Sequence, residues 1–462
     1  MRSTCRQAAL GLVLFLCVAA LPAGTIFVNA SATGANNGSS WANAYTSLQP
    51  ALAAAGSGDE IWVAAGTYKP TATTDRTISF VLKNGVGVYG GFAGTETLRT
   101  QRDPAAHVTI LSGDIGTPGN VTDDSYHVVT SDSTVTTTGV LDGFTITAGY
   151  ADGAGANQDR GGGMWINMGS PTVSHCVFSG NAAAERGGGI RTTTASPVID
   201  GCVFTFNSGG TGGGGVCAGT GSSFTVRNSI FRNNSTQSSG GDGLETTDSV
   251  TAVNCVFQNN AGNGVSFFSD GTVINSTFTG NGAYGIALQS SGTVSNSILW
   301  GDAIDEVFTG FGTISVSYSD VGGSGFTGPG NKNADPKFSN PGGNDLRLGA
   351  GSPAVDAGQN SAVPGTITTD IAGLPRFFDD PAVVDTGLGT APIVDMGAYE
   401  RVPLTVTAPS PSPQAVCVGA SVGFSVTASG SGLDPEISIA AAQYQLRRVA
   451  KARGRVTSPR VG

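Results

Sequence analysis

The sequence predicts an all-β solenoid, a single-stranded parallel β-helix, and three observations lead there. A six-residue pattern recurs as CVFSGN at 176–181, CVFTFN at 202–207, SIFRNN at 229–234, CVFQNN at 255–260 and STFTGN at 276–281. Anchored on Phe178, Phe204, Phe231, Phe257, Phe278, Leu299 and Tyr318, the copies step by 26, 27, 26, 21, 21 and 19 residues, a period expected of stacked supersecondary units. Glycine supplies 71 of 462 residues, and β-branched residues fill each unit, which excludes a helical repeat. A rung of three short strands and three turns needs about twenty residues.

Each column of the alignment then has a physical assignment. Two residues before the anchor stand Cys176, Cys202, Ser229, Cys255, Ser276 and Ser297. Five before it stand Val173, Ile199, Val226, Ala252, Val273 and Val294. Alternation along a strand places both columns and the anchor on the inward face. Three before the anchor come His175, Gly201, Asn228, Asn254, Asn275 and Asn296, residue types that tolerate the left-handed backbone a bend requires. Three after it come Asn181, Asn207, Asn234, Asn260 and Asn281, whose amides can hydrogen-bond from rung to rung. Each rung then reaches a glycine–apolar pair: Gly163–Met164, Gly189–Ile190, Gly215–Val216, Gly243–Leu244, Gly264–Val265 and Gly285–Ile286. The repeat is thus a building device, with roughly eleven or more rungs expected over the chain.

Residues 24–145 continue this architecture less regularly, with strands expected in 59–68, 77–92, 108–115, 125–131 and 139–149. TSLQPALAAA (46–55) predicts a short helix, capped by Thr46 or Ser47, with Ala51, Leu52 and Ala55 on its apolar face. Placed before the first regular rung, it would cover an open solenoid end. Residues 1–23 read as a signal peptide: Arg2 and Arg6 precede the apolar run 8–20, and small residues follow. No later segment is apolar enough to span a bilayer, so the mature chain is expected to be secreted or at the cell surface or outer membrane. The net charge of −10 argues against nucleic acid as a partner. Of seven cysteines, three share one repeat position, which indicates packing rather than a disulfide framework.

Residues 26–70 (IFVNASATGANNGSSWANAYTSLQPALAAAGSGDEIWVAAGTYKP) resemble the entry segment of secreted bacterial right-handed parallel β-helix proteins of the pectate-lyase-like superfamily. GVYGGFAGTETLRTQRD (87–103), TILSGDI (109–115) and SYHVV (125–129) resemble repeats of polymorphic outer-membrane proteins. DPKFSNPGGNDLRLGAGSPAVDAG (335–358) with VDMGAYE (394–400) resembles the choice-of-anchor Q segment. The resemblance implies a right-handed helix over 24–330 and an anchor-associated end over 331–401. It says little about activity, because the superfamily mixes lyases, hydrolases and adhesins. Residues 402–432 look like the first two strands of an immunoglobulin-like module. Residues 433–462 change composition abruptly, as either a truncated or frame-shifted gene end or a basic tail for anionic surface polymer.

Candidate chemistry is sparse. The resemblance implies that a lyase here would need a Lys or Arg base and calcium-binding carboxylates; the rungs 144–320 contain no lysine and five arginines, of which Arg191 or Arg186 would serve on the looped face, with Glu245 or Asp242 near a calcium ion. GGDGLETTD (240–248) offers Asp242, Glu245 and Asp248, either as Ca²⁺ ligands or as a solvated loop; no other cofactor is expected. Asp123, Asp124 and His127 read first as turn chemistry. From each ladder asparagine to the glycine–apolar pair the steps are 8, 8, 9, 4 and 4, so three rungs carry longer loops at one corner, and the insert 150–161 precedes them. Such a wall often marks a binding face. The outward column beside it runs Trp165, Arg191, Cys217, Glu245, Ser266 and Ala287, and Trp165, Arg191 and Glu245 could bind a glycan. The leading expectation is a structural or adhesive surface protein contacting polysaccharide or other cells. A polysaccharide lyase or glycoside hydrolase and a passive spacer rod remain as alternatives, and the oligomeric state is open.

If the anchors point inward, Phe231→Ala removes a core ring and lowers stability by about 3–5 kcal/mol. Chemical denaturation of the two proteins checks this; equal midpoints would refute the inward placement.

Overall fold

The computed structural model describes residues 24–237 and 240–403, together with an antiparallel strand pair, Thr405–Val406 with Ala428–Ser429. Residues 1–23, read above as a signal peptide, most of 402–432, likened above to an immunoglobulin-like module, and residues 433–462 lie outside the described residues.

Each turn of the chain contributes one strand to each of three parallel sheets. The first sheet has eleven strands, from Thr25–Val28 to Ile314–Ser317. The second has ten, from Gly66–Tyr68 to Asp320–Val321, and the third nine, from Phe80–Val81 to Asp305–Thr309. A short fourth sheet, made of Tyr150–Ala151, Ala182–Ala183, Ser208–Gly209 and Ser235–Thr236, fills the corner between the second and third. The fold is a right-handed parallel β-helix.

The inward columns pack as their spacing requires. Phe178, Phe204, Phe231, Phe257 and Phe278 are fully buried and stack as offset, nearly parallel rings, with centroids 4.6–5.1 Å apart and planes within 10°. The strand register extends this column upstream through Ile146, Leu111 and Tyr68. Downstream it passes through Leu299 to Val321, which corrects the expected anchor Tyr318. Tyr318 has φ 47° and occupies the bend position; its size suggested an anchor, but the column ends three residues later on a smaller apolar side chain. The bend column is left-handed throughout: His175, Gly201, Asn228, Asn254, Asn275 and Asn296 have φ between 46° and 63°.

The His175 side chain also meets Asp142 at 3.2 Å. Burial opposes ionisation of Asp142, but hydrogen bonds from His175, Ser174 and Arg102 hold its carboxyl down to about 2.

The asparagine column is a continuous buried ladder. Asn181, Asn207, Asn234 and Asn260 each donate from Nδ2 to the Oδ1 of the next ladder residue, at 3.0, 3.1, 3.0 and 2.9 Å. The same Nδ2 donates to a carbonyl of the preceding rung, as from Asn234 to Phe204 at 3.0 Å. Oδ1 also accepts the backbone N–H of the preceding ladder residue, at 3.1–3.2 Å. Asp302 closes the ladder by accepting both N–H groups of Asn281.

A seven-residue helix, Leu48–Ala54, lies at the N-terminal end and buries Leu48, Ala51 and Leu52 in the common core. Ser47 has N-cap geometry without a side-chain cap bond. At the other end Lys83 donates to the carbonyls of Leu52 and Ala55.

Residues 331–334 first pair with the last rung, where Lys332 bridges Asp320 and Asn331 bonds Ser319 and Val316; the rest of 331–401 leaves that end. It runs back along the flank, over the bend between the first and second sheets. Buried Arg376 reaches Asn254 at 3.3 Å, Gln359 exchanges hydrogen bonds with Asn296 at 2.7 and 2.9 Å, and Ala398 donates to Thr277 at 2.9 Å. Leu346 and Ala398 pack on Val256. The bend asparagines thus have a second task, holding this flanking segment.

Asn234→Ala leaves the Asn207 backbone N–H and one Asn207 Nδ2 hydrogen buried without their acceptor, and takes from the Phe204 carbonyl its side-chain donor. At about 1–3 kcal/mol for each stranded group, we expect a loss of several kcal/mol by chemical denaturation, well above that of an exposed Asn→Ala control.

Candidate functional site

Register places the outward column as expected: Trp165 pairs with Arg191, Arg191 with Cys217, Cys217 with Glu245, and Glu245 with Ser266. Outward does not mean exposed here. Arg191 is 7% and Glu245 2% exposed, and Cys217 is fully buried. The long corner loops fold back over the third sheet and cover them.

Glycine makes that cover possible. Gly161, Gly187 and Gly213, each at φ between 57° and 71°, lie directly over Trp165, Arg191 and Cys217. A Cβ on any of them would come within 2.5–2.9 Å of the covered residue. The last glycine of each run, such as Gly189, faces inward; its Cβ would meet the Gly215 carbonyl at 2.4 Å and the Phe204 ring at 3.1 Å. The GGG runs are therefore a close-approach device on both faces of one strand entry.

Beneath the cover, polar groups form a chain along the rod. Arg191 Nη1 donates to Cys217 Sγ at 2.7 Å, and Cys217 lies 3.7 Å from Glu245 Oε1. Arg186 Nη1 approaches the same oxygen at 4.0 Å and remains partly open to solvent. Burial pushes the Glu245 carboxyl up, with Arg186 acting against it. Burial also lifts Asp242 to about 6, although Thr236 hydrogen-bonds its carboxylate. Trp165 stacks on the buried His127 ring at 5.5 Å, and its indole N–H has no partner. The rim, Asp159, Arg160, Glu185 and Arg186, meets water, as does part of Trp165, and Arg160 pairs with both Asp159 and Glu185.

Of the residues singled out in sequence, the structure brings Arg186, Arg191 and Glu245 together and sets Trp165 at the head of their column. It does not bring Asp242, Glu245 and Asp248 together as a cation cage. Asp242 turns toward Thr236, Glu245 lies under Gly212, and Asp248 accepts from the Gly221 N–H in a separate turn. Among the described residues, the cluster of three carboxylates with converging oxygens is Asp356, Asp379 and Asp385, in the flanking segment. Sequence reasoning passed over it because its members are scattered across VDAG and FFDDPAVVD, with no repeat to align them. A second acidic pair, Asp302 and Glu306, ends the asparagine ladder; burial and mutual repulsion drive Asp302 well above the usual carboxylate range.

A stacked, right-handed β-solenoid with a looped corner and a buried polar column is the class of protein that this geometry defines. Residues 128–299 match the family model for a right handed beta helix region. A solved structure, pectate lyase Pel9A, aligns with 83% of this chain and 97% of its own at a TM-score of 0.46 and 15% identity. Residues 419–459 match the model for the K⁺-transporting ATPase, c chain. The potassium-transporting ATPase KdpC subunit of Serratia proteamaculans (strain 568) is 82% identical over 28 residues, covering 6% of this chain and 15% of that protein. That of Sorangium cellulosum (strain So ce56) is 76% identical over 29 residues with the same coverage. The chain thus spans about 15% of the length of these curated relatives. The composition break at residue 433 falls inside the matched stretch.

Cys217 stands between an arginine and a glutamate, a setting that can activate a thiol when water reaches it. Here burial pushes its pKa up to about 12. We expect Cys176, Cys202, Cys217 and Cys255 to resist iodoacetamide at pH 8 in the native protein and to react fully in denaturant, read by peptide mass mapping. Labelling of native Cys217 would show that the loop cover opens.

Proposed function

We propose that this chain is an exported β-helix protein with a structural and adhesive role at the cell surface, one that contacts polysaccharide along its looped corner. The observation that carries this reading is the ledge formed by the fourth sheet. Four stacked corner strands give a straight, rigid edge, and Phe206 stands beside it, 64% exposed and at φ 55°. A large aromatic residue held left-handed with its ring in water is costly to keep without a use. A flat ring with Thr205 and Ser208 near it along the chain and Asn233 on the next rung suits stacking on the apolar face of a sugar, with hydroxyls bonded alongside. The charged rim of Asp159, Arg160, Glu185 and Arg186 lies at the other end of these short corner strands and would add hydrogen bonds. The wall of loops expected from sequence to form a groove over Trp165 and Arg191 instead offers its own outer edge.

A polysaccharide panel applied to the purified protein, with and without calcium, separates the readings. Retention without new reducing or unsaturated ends, weakened several-fold by Phe206→Ala with an unchanged melt, is the expected result. Cleavage would replace this reading with a lyase or hydrolase, and silence in both assays would favour a spacer rod.

A further inference from the structure

The flanking segment 331–401 carries a site that the solenoid itself does not. Its turn at Ala354–Gly358 places Asp356 in the left-handed conformation at φ 49°. The backbone of Asp356 is fully engaged. Its N–H donates to Asp395 Oδ1 at 2.7 Å, and its carbonyl accepts from the N–H groups of Thr386 and Gly387 at 2.9 and 3.1 Å. Those bonds lash the turn to the loop 376–387. The side chain is the exception: Asp356 is fully buried, yet neither carboxylate oxygen has a hydrogen-bond partner.

An unpartnered buried carboxylate is expensive, and its neighbours make it worse. Oxygens of Asp356, Asp379 and Asp385 lie within 4.8 Å of one another, the latter two exposed at the loop surface. Burial, then Asp385 and Asp379, push the Asp356 carboxyl up to about 7. Arg401, the guanidinium that acts on Asp356, is already held by Asp380. Three acidic oxygens thus converge on one point, with a buried floor and a mouth open to solvent.

We infer that Asp356, Asp379 and Asp385 bind one hard divalent cation, calcium by preference, which fastens the 354–358 turn to the 376–387 loop. The donor set is all oxygen with no His or Cys, which selects against zinc and copper. Carboxylates drawn from two irregular loops suit the flexible coordination of calcium better than the strict octahedron of magnesium. Water completes the shell at the exposed mouth. The site is independent of the polysaccharide reading, and it lies away from the 240–248 loop where sequence placed candidate calcium ligands.

The test is equilibrium dialysis of the full chain against calcium alone after chelator treatment, with thermal melts in parallel. Asp385→Asn and Asp379→Asn alter exposed loop residues, so a retained circular dichroism spectrum certifies their fold. One calcium per chain in the unmodified protein, at a Kd on the order of 10⁻⁴ M or tighter, with a melt raised by calcium, is expected. Each variant should bind that calcium at least tenfold more weakly and lose the shift, whereas Asp248→Asn should behave as the unmodified chain. Lack of binding at millimolar calcium, or identical binding in both loop variants, overturns the site; equal competition by magnesium overturns the calcium preference.

Discussion

Every inward side chain in this protein must pack against its own counterpart from the rungs on either side. That is the consequence of parallel strands stacked in register, and it governs which residues the columns can hold. Phenylalanine satisfies it by offset stacking of nearly parallel rings. Asparagine satisfies it because one amide carries both a donor and an acceptor, so a file of identical side chains can bond head to tail. Carboxylates could not do so, which is why an aspartate, Asp302, appears only where the file stops. Serine and cysteine interchange in the third column by the same logic. Each is small, and each turns its polar atom to a backbone group, as Ser229 does toward the Arg227 carbonyl and the Cys202 N–H.

Most of this was legible because the constraint writes identity into sequence at a fixed period. Column positions, the left-handed bends and the ladder all follow from aligning six letters. The alignment failed at Tyr318, where no ladder asparagine follows to mark the register and side-chain size alone misled. What stayed hidden obeys no period. The loops over Arg191 and Cys217 close through single left-handed glycines, whose φ is invisible among 71 glycines. The flanking segment meets the rungs through pairs such as Asn254 and Arg376, more than a hundred residues apart, with no repeat to announce them.

Two corners of the solenoid therefore have opposite characters. At the bend between the first and second sheets, Asn254, Asn275 and Asn296, which turn the chain, also dock residues 331–401, so that stretch of the edge is sheathed by the protein itself. At the corner between the second and third sheets, the chain lengthens, forms its own small sheet and seals Arg191, Cys217 and Glu245 inside, next to a half-buried Trp165. Chemistry that looked accessible along the strand became internal scaffolding, and the surface moved outward to the loop edge.

The ladder of asparagines also sets how the rod yields to force. Each rung is bonded only to its two neighbours, so tension applied at a chain end would peel turns away singly, breaking a few bonds at each step. Residues 331–401 change that by lying lengthwise across several rungs from Ile230 to Asn296. They work as a batten nailed across planks. Peeling from the C-terminal side cannot proceed turn by turn until this cover has first been torn free, so the rod should resist up to a threshold and then unravel.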